Sequence, residues 1–286
     1  MNFFRDDPSI LALVSLIQAE GIYIGQVVGI HPSAVIEEGA TLGENVAISP
    51  FCYIDRHVQL GAGCVLGPHV TILGHTTLGK DCRVHGGAII GDIPQDVTYQ
   101  GGVSYVTIGD RCILREGVTI HRGTKPEAVT QVGNDCLLMA HSHLAHDVQI
   151  GNQVIIANGA LVAGYAHIGD RAFISGNCLI HQFTRVGRLA MLSGGTAVQK
   201  DVPPFAMTHS LSRNTIMGLN VVGLRRAGFT TEERQLLKAA FTILYRSDLN
   251  TTQAIAQLKD IFHSPLVTEL WQFIETSQRG ICNFIR

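Results

Sequence analysis

The sequence predicts a mainly β protein: a parallel β-helix of hexapeptide repeats followed by a small α-helical C-terminal domain. Three observations predict it. Aliphatic residues recur at every sixth position over most of the chain, glycine is abundant (31 residues) while only 6% of residues are aromatic, and the period stops at Asp201-Val-Pro-Pro204. A period of six matches neither the 3.6-residue turn of an α-helix nor the two-residue alternation of a hairpin. It matches short strands separated by corners and stacked in a solenoid, because one coil cannot bury its own aliphatic residues. Three hexapeptides per turn make a triangular prism whose coils lie about 4.8 Å apart.

The elements follow in order. Residues 2–20 read as a short amphipathic helix, with Asp7 as cap and Pro8 at the first helical position, so 1–22 form an N-terminal extension. The prism occupies 23–204. Its interior positions run from Ile30 through Ile36, Leu42, Ile48, Ile54, Leu60, Leu66, Ile72, Leu78 and Val84 to Ile90 without a miss. They resume at Ile108, Leu114 and Ile120, and again from Val132 and Leu138 in steps of six to Val198. The two breaks, 91–107 and 121–131, are excursions from the prism, where loops on a rigid scaffold tend to carry binding residues. Residues 205–286 turn helical. Thr230-x-x-Glu233 is a capping box that opens one helix, 251–262 is a second, and Ser264-Pro265 starts a third.

Composition narrows the function. A formal net charge of −2 with 15% charged residues provides no basic field for nucleic acid. The seven cysteines are odd in number, lack CxxC spacing and fall on small-residue positions of the repeat, as reduced core thiols of a cytoplasmic protein do. The apolar run from Ile10 to Ile17 is too short to span a bilayer and no small-residue cleavage site follows it, so neither a signal peptide nor stable membrane insertion is expected.

The stretch 138–147 carries the chemistry, with His141, His143, His146 and Asp147 set into the repeat. Residues eighteen apart stack in neighbouring coils, so His146, Gly164 and Gln182 form one column. An imidazole, a bare backbone N–H and an amide then lie within about 5–10 Å of each other. Acyl transfer needs that set: a base for a hydroxyl, a donor for an oxyanion and a positioning group. Asp147 would face away from His146 unless a corner intervenes. His75, His85, His209 and His263 read as solvated surface residues. Three imidazoles within six residues also suit a metal. No cysteine or carboxylate cluster completes such a site, and no metal is expected.

Larger motifs add to this. Ile30-His-Pro-Ser-Ala, Gly91-Asp-Ile-Pro-Gln-Asp96, Val118-Thr-Ile-His-Arg-Gly-Thr124, the stretch 138–147, Ile180-His-Gln-Phe183, Gln199-Lys-Asp-Val-Pro-Pro204 and the stretch 218–229 together resemble the UDP-N-acetylglucosamine O-acyltransferases of lipid A synthesis. The resemblance runs from about Ile30 to the C-terminus. It implies a left-handed β-helix, a cytoplasmic homotrimer with active sites between prisms, and no cofactor beyond the phosphopantetheine on which acyl carrier protein presents a 3-hydroxyacyl chain. It implies that His146 is the general base for the sugar 3-hydroxyl, that Gly164 supplies the oxyanion N–H and that Asp147 supports the histidine. By the same resemblance His143, His181 and Gln182 line the sugar-nucleotide pocket. Gln95 and Asp96 hold the sugar, from the same or a neighbouring subunit. Asn220 and Arg226 hold nucleotide and diphosphate, and Gly194 limits acyl length.

Four positions depart from the family pattern: Thr98 for a lysine, Tyr165 for a histidine, Val222 for a glutamate and Ala227 for an arginine. They leave the base and oxyanion donor in place but open the identity of the acceptor. Another nucleotide-linked aminosugar, a metal-dependent hydratase resembling γ-class carbonic anhydrases, and a non-catalytic sugar-nucleotide binder stay as alternatives.

Overall fold

A computed structural model describes residues 29–285 of the 286-residue chain. The expected helix over 2–20 lies outside the described residues. From residue 30 the chain winds into a left-handed parallel β-helix of three faces. Face 1 runs from the strand Val35–Ile36 to Ala197–Val198, face 2 from Thr41–Leu42 to Arg185–Val186, and face 3 from Ala47–Ile48 to Ala206–Thr208. Every repeat strand pairs in parallel with its counterpart one coil away, as in His143↔Leu161↔Leu179↔Ala197 on face 1.

Packing explains the period. Within each two-residue strand the second side chain points inward, and these residues, Ile48, Leu66, Val84, Leu114, Leu138 and Ile156 among them, are fully buried. Each such side chain stabilises the fold by about 1.5–3 kcal/mol. Ile30 is half exposed, and Ile36 and Leu42 are only partly buried, because they belong to the first coil among the described residues. All seven cysteines are free and buried. Cys64, Cys82, Cys112 and Cys136 donate from Sγ to carbonyls of Gly79, Gly109, Gly133 and Gly151.

Most corners turn on a residue in the left-handed region, such as Asp147 (φ 59°), Tyr165 (φ 59°) and Phe183 (φ 63°) between faces 1 and 2. On the edge between faces 2 and 3 the corner amides are capped by the next coil. Lys80 N donates to Asp110 Oδ1, Asp110 N to Asn134 Oδ1, Asn134 N to Asn152 Oδ1 and Asn152 N to Asp170 Oδ1. On the edge between faces 1 and 2 the amides of His146, Gly164 and Gln182 meet no protein acceptor among the described residues. The equivalent amides on the edge between faces 3 and 1, at Ala140, Asn158, Gly176 and Gly194, are likewise uncapped among the described residues, so the side-chain ladder distinguishes the edge between faces 2 and 3.

The prism does not stop at Pro204. Ala206–Thr208 adds to face 3, and Thr215–Leu219 folds back antiparallel to it. Four helices follow: α1 (Val221–Arg226), α2 (Thr231–Arg246), α3 (Thr251–Ile261) and α4 (Pro265–Glu275). The capping box at Thr230 and Glu233 forms as the sequence predicts, and Asn250 with Gln253 forms a second. Helix α1, which the sequence reading does not predict, opens on Asn220, whose side chain accepts from Gly223 N. Two arginines of the last coils clamp the helices to the prism. Arg188 pairs with Glu269 at 2.7 Å, and Arg185 reaches Asp201 at 3.0 Å while its guanidinium lies 4.3 Å above the Phe273 ring. No described helix is long and apolar enough to cross a membrane.

Candidate active site

His146 and Asp147 occupy successive positions of one corner. Alternation along a strand would send their side chains apart, but the left-handed backbone of Asp147 breaks it. The carboxylate therefore comes round to the imidazole, with His146 Nδ1 2.9 Å from Asp147 Oδ2. Both side chains are largely buried, His146 at 11% and Asp147 at 10% side-chain exposure, so the contact is shielded from water. The carboxylate accepts, so Nδ1 carries the proton and Nε2 presents its lone pair.

Gly164 lies directly beside that ring in the next coil. A Cβ there would fall 2.3 Å from His146 Cε1 and 2.6 Å from Nε2. Only glycine permits this approach. With its amide uncapped, the corner offers a base and an N–H donor together. A cleft of about 500 Å³ opens there, lined by His143, His146, Gly164, His181, Gln182 and Gln95. Its floor is the outward column of face 1, where Leu161 and Leu179 are 44% and 50% exposed.

The first excursion reaches the same place. Asp96 Oδ2 lies 3.6 Å from His146 Nε2 within one chain, so no neighbouring subunit is needed to bring it there. Thr98, one of the four departures, donates to Asp96 Oδ1 from both backbone N and Oγ1 at 2.8 Å, and these bonds hold the carboxyl below its usual range. The remaining candidates lie elsewhere. Asn220 is buried at the start of α1, where its side chain accepts from Gly223 N and donates to the Leu189 carbonyl on the edge between faces 2 and 3. Arg226 is in the last turn of α1 with Val222 earlier on that helix, and Ala227 is its C-cap. Gly194 occupies the edge between faces 3 and 1, where an added Cβ would meet only the Gly176 carbonyl, at 3.8 Å.

The three histidines diverge. His141 lies on the edge between faces 3 and 1, His143 on face 1 and His146 on the edge between faces 1 and 2. No group of three or more metal-ligating side chains is found among the described residues. His85 corrects the sequence reading: it is buried, 3.5 Å from Glu116 of the next coil, rather than solvated. Sequence reasoning assigns Thr124 no role and names Tyr165 as a departure from the family pattern; the structure joins both to Asp147. Thr124 donates to Asp147 Oδ2 from Oγ1 at 2.8 Å and from N at 3.1 Å, and its hydroxyl lies 2.7 Å from the Tyr165 hydroxyl.

Fold and site together define a hexapeptide-repeat transferase. Repeats of the bacterial transferase hexapeptide type match at 57–92 and 130–164. The model of domain 2 of UDP N-acetylglucosamine O-acyltransferase matches 201–282. The acyl-[acyl-carrier-protein]–UDP-N-acetylglucosamine O-acyltransferase of a Sulfurihydrogenibium strain is 53% identical over 204 residues, covering 70% of this chain and 74% of its own length. Among solved structures, the UDP-N-acetylglucosamine acyltransferase of Bacteroides fragilis is 42% identical with a TM-score of 0.85, covering 90% of this chain and 99% of that one. That of Francisella novicida is 40% identical with a TM-score of 0.86 and covers 90% and 94%. This chain belongs to the UDP-N-acetylglucosamine O-acyltransferase family.

Burial, with help from neighbouring His121 and His146, pushes His143 down to about 4, so it is a neutral imidazole beside the cleft near pH 7. In an unfolded chain it titrates near its ordinary value of about 6.5. Between those values the unfolded chain binds the extra proton, so this contribution to stability is present above 6.5 and lost as pH falls towards about 4. His143→Gln therefore flattens the acid-side loss of folding stability by on the order of 2 kcal/mol over that window, measured by urea denaturation across pH. An unchanged slope would show that His143 is not held neutral.

Proposed function

We propose that this chain transfers a 3-hydroxyacyl group from the phosphopantetheine of acyl carrier protein to the 3-hydroxyl of UDP-N-acetylglucosamine, the opening step of lipid A synthesis. One observation carries the reading. An imidazole whose Nδ1 is held by a carboxylate lies against a glycine with an uncapped amide, above an apolar floor.

The chemistry follows from that geometry. His146 Nε2 takes the proton of the sugar 3-hydroxyl as its oxygen attacks the thioester carbonyl. The carbonyl oxygen becomes an oxyanion that the Gly164 N–H stabilises, in an environment where a fixed donor is worth about 3–4 kcal/mol of barrier. Collapse breaks the carbon–sulfur bond, and the imidazolium returns its proton to the departing thiolate, leaving an ester and a free thiol. Asp147 keeps the imidazole in the required tautomer throughout. Gln95, Asp96, His143, His181 and Gln182 supply the polar rim for the sugar nucleotide.

The acyl chain lies along Leu161, Leu179 and Ala197, the outward column of face 1. Gly194 stands at the far side of that face, two coils or about 10 Å along the axis from the edge position of Asn158 in the Gly164 coil. Asn220 and Arg226 sit beside a different edge from His146. Arg226 reaches the diphosphate only from a second copy, which supports a homotrimer with sites between prisms. Asn220, buried with its side chain occupied by Gly223 N and the Leu189 carbonyl, holds the start of α1 that carries the arginine. Arg225, Arg226, Arg234 and Lys238 present positive charge for an acidic carrier protein.

His146→Ala abolishes transfer, by about a thousandfold or more, while leaving a folded trimer. Thioester consumption and size-exclusion light scattering read the two halves, and near-normal turnover would remove the base. Gly194→Met shortens the preferred acyl chain in competition among carrier thioesters of several lengths, and unchanged selectivity would remove the ruler.

A further inference from the structure

The second excursion, 121–131, has no place in the mechanism above, and the corner it touches is the catalytic one. At the next corners of this edge the left-handed residue donates to the carbonyl one coil below: Tyr165 N to His146 O and Phe183 N to Gly164 O. At Asp147 the coil below has left the prism, and Thr130 Oγ1 accepts the amide at 2.8 Å instead. The same departure brings Thr124 over the Asp147 carboxylate.

Counting protons orders the contacts. Asp147 Oδ2 accepts from His146 Nδ1, Thr124 N and Thr124 Oγ1. Thr124 has one hydroxyl proton, which goes to the carboxylate, so in the 2.7 Å contact with Tyr165 the phenol must donate. The chain runs Tyr165 O–H to Thr124 O–H to Asp147, which in turn accepts from His146. Tyr165 is itself held by ring contacts, edge-on to His146 at 5.3 Å and stacked on Phe183 at 4.8 Å.

We propose that the second excursion seats Thr124 on the catalytic carboxylate, so that Tyr165 and Thr124 act as positioning residues for the His146–Asp147 pair. This rests on His146 being the base. It also gives a role to the replacement of the family's histidine by Tyr165: a phenol in this position can donate to Thr124. The other groups facing His146 are Asp96 from the first excursion, and His121 and His143 from face 1. They are unchanged in the variants below.

The test compares Thr124→Val, Thr124→Ser, Tyr165→Phe and His146→Ala in the full-length enzyme, with kcat, KM and the kcat/KM–pH profile measured for each. Thr124→Val lowers kcat about tenfold with KM within about twofold, since it loosens a group that acts in the transition state. Its acid limb moves up by about half a pH unit, because a carboxylate with one donor fewer holds the imidazolium more tightly. Thr124→Ser restores both values, and Tyr165→Phe shifts both in the same direction by less. A Thr124→Val enzyme with wild-type kcat and profile overturns the proposal while a dead His146→Ala leaves the base assignment standing. Loss of activity with an unmoved acid limb and no rescue by serine overturns it too, as a structural defect. An active His146→Ala overturns both readings.

Discussion

The hydrogen bonds between coils are the constraint on which everything else depends. Most strands of the prism are only two residues long and have no stability of their own, so the coils are held by in-register pairing above and below. The pairing also converts sequence spacing into position. His143, Leu161, Leu179 and Ala197 stack on face 1 because each is eighteen residues after the last. An imidazole placed on such a ladder cannot drift relative to a backbone N–H one rung away. That is the preorganisation an oxyanion-stabilising site requires.

One edge of the prism is capped by side chains and the other two are not. What sets the edge between faces 1 and 2 apart is the glycine at 164 against an imidazole and the two excursions that leave the repeat there. Along the edge between faces 2 and 3, asparagine and aspartate side chains cap the spare amides. Along the edge between faces 1 and 2, the corresponding amides at His146, Gly164 and Gln182 have no such caps among the described residues. Leaving a donor unsatisfied is unfavourable unless a ligand or water meets it. Glycine makes this edge passable as well as uncapped, since any side chain at 164 would strike the imidazole. The two excursions break the repeat next to this edge. One sets Asp96 against Nε2 and the other sets Thr124 against the carboxylate on the far side of the ring. The irregular segments thus bracket one histidine.

Much of this was legible in the sequence, and the limits have physical causes. Stacking arithmetic placed His146, Gly164 and Gln182 in one column because coil geometry is uniform there. It did not show that Asp147 turns towards His146, since that depends on a left-handed dihedral at a non-glycine residue. Nor did it bring Thr124 to Asp147, because the excursion breaks the count that relates their coils. Tyr165 falls eighteen residues after Asp147, but the count says nothing of its hydroxyl meeting Thr124. Asn220 and Arg226 were grouped with the site by motif alone. Their separate edge shows only when the chain is folded, and it is why a second copy enters the account. His85 was misread because a lone histidine carries no periodic signal of its burial.

Catalysis at this corner requires a bound molecule's reacting atoms to lie against His146 Nε2 and Gly164 N. A crystal structure with the 3-O-acylated sugar nucleotide measures this directly. The sugar O3 is predicted within about 3 Å of His146 Nε2 and the ester carbonyl oxygen within about 3 Å of Gly164 N, with the chain over Leu161 and Leu179. A product bound with its ester away from both atoms, or with Nε2 facing a group that does not react, would contradict the assignment of this corner as the catalytic centre.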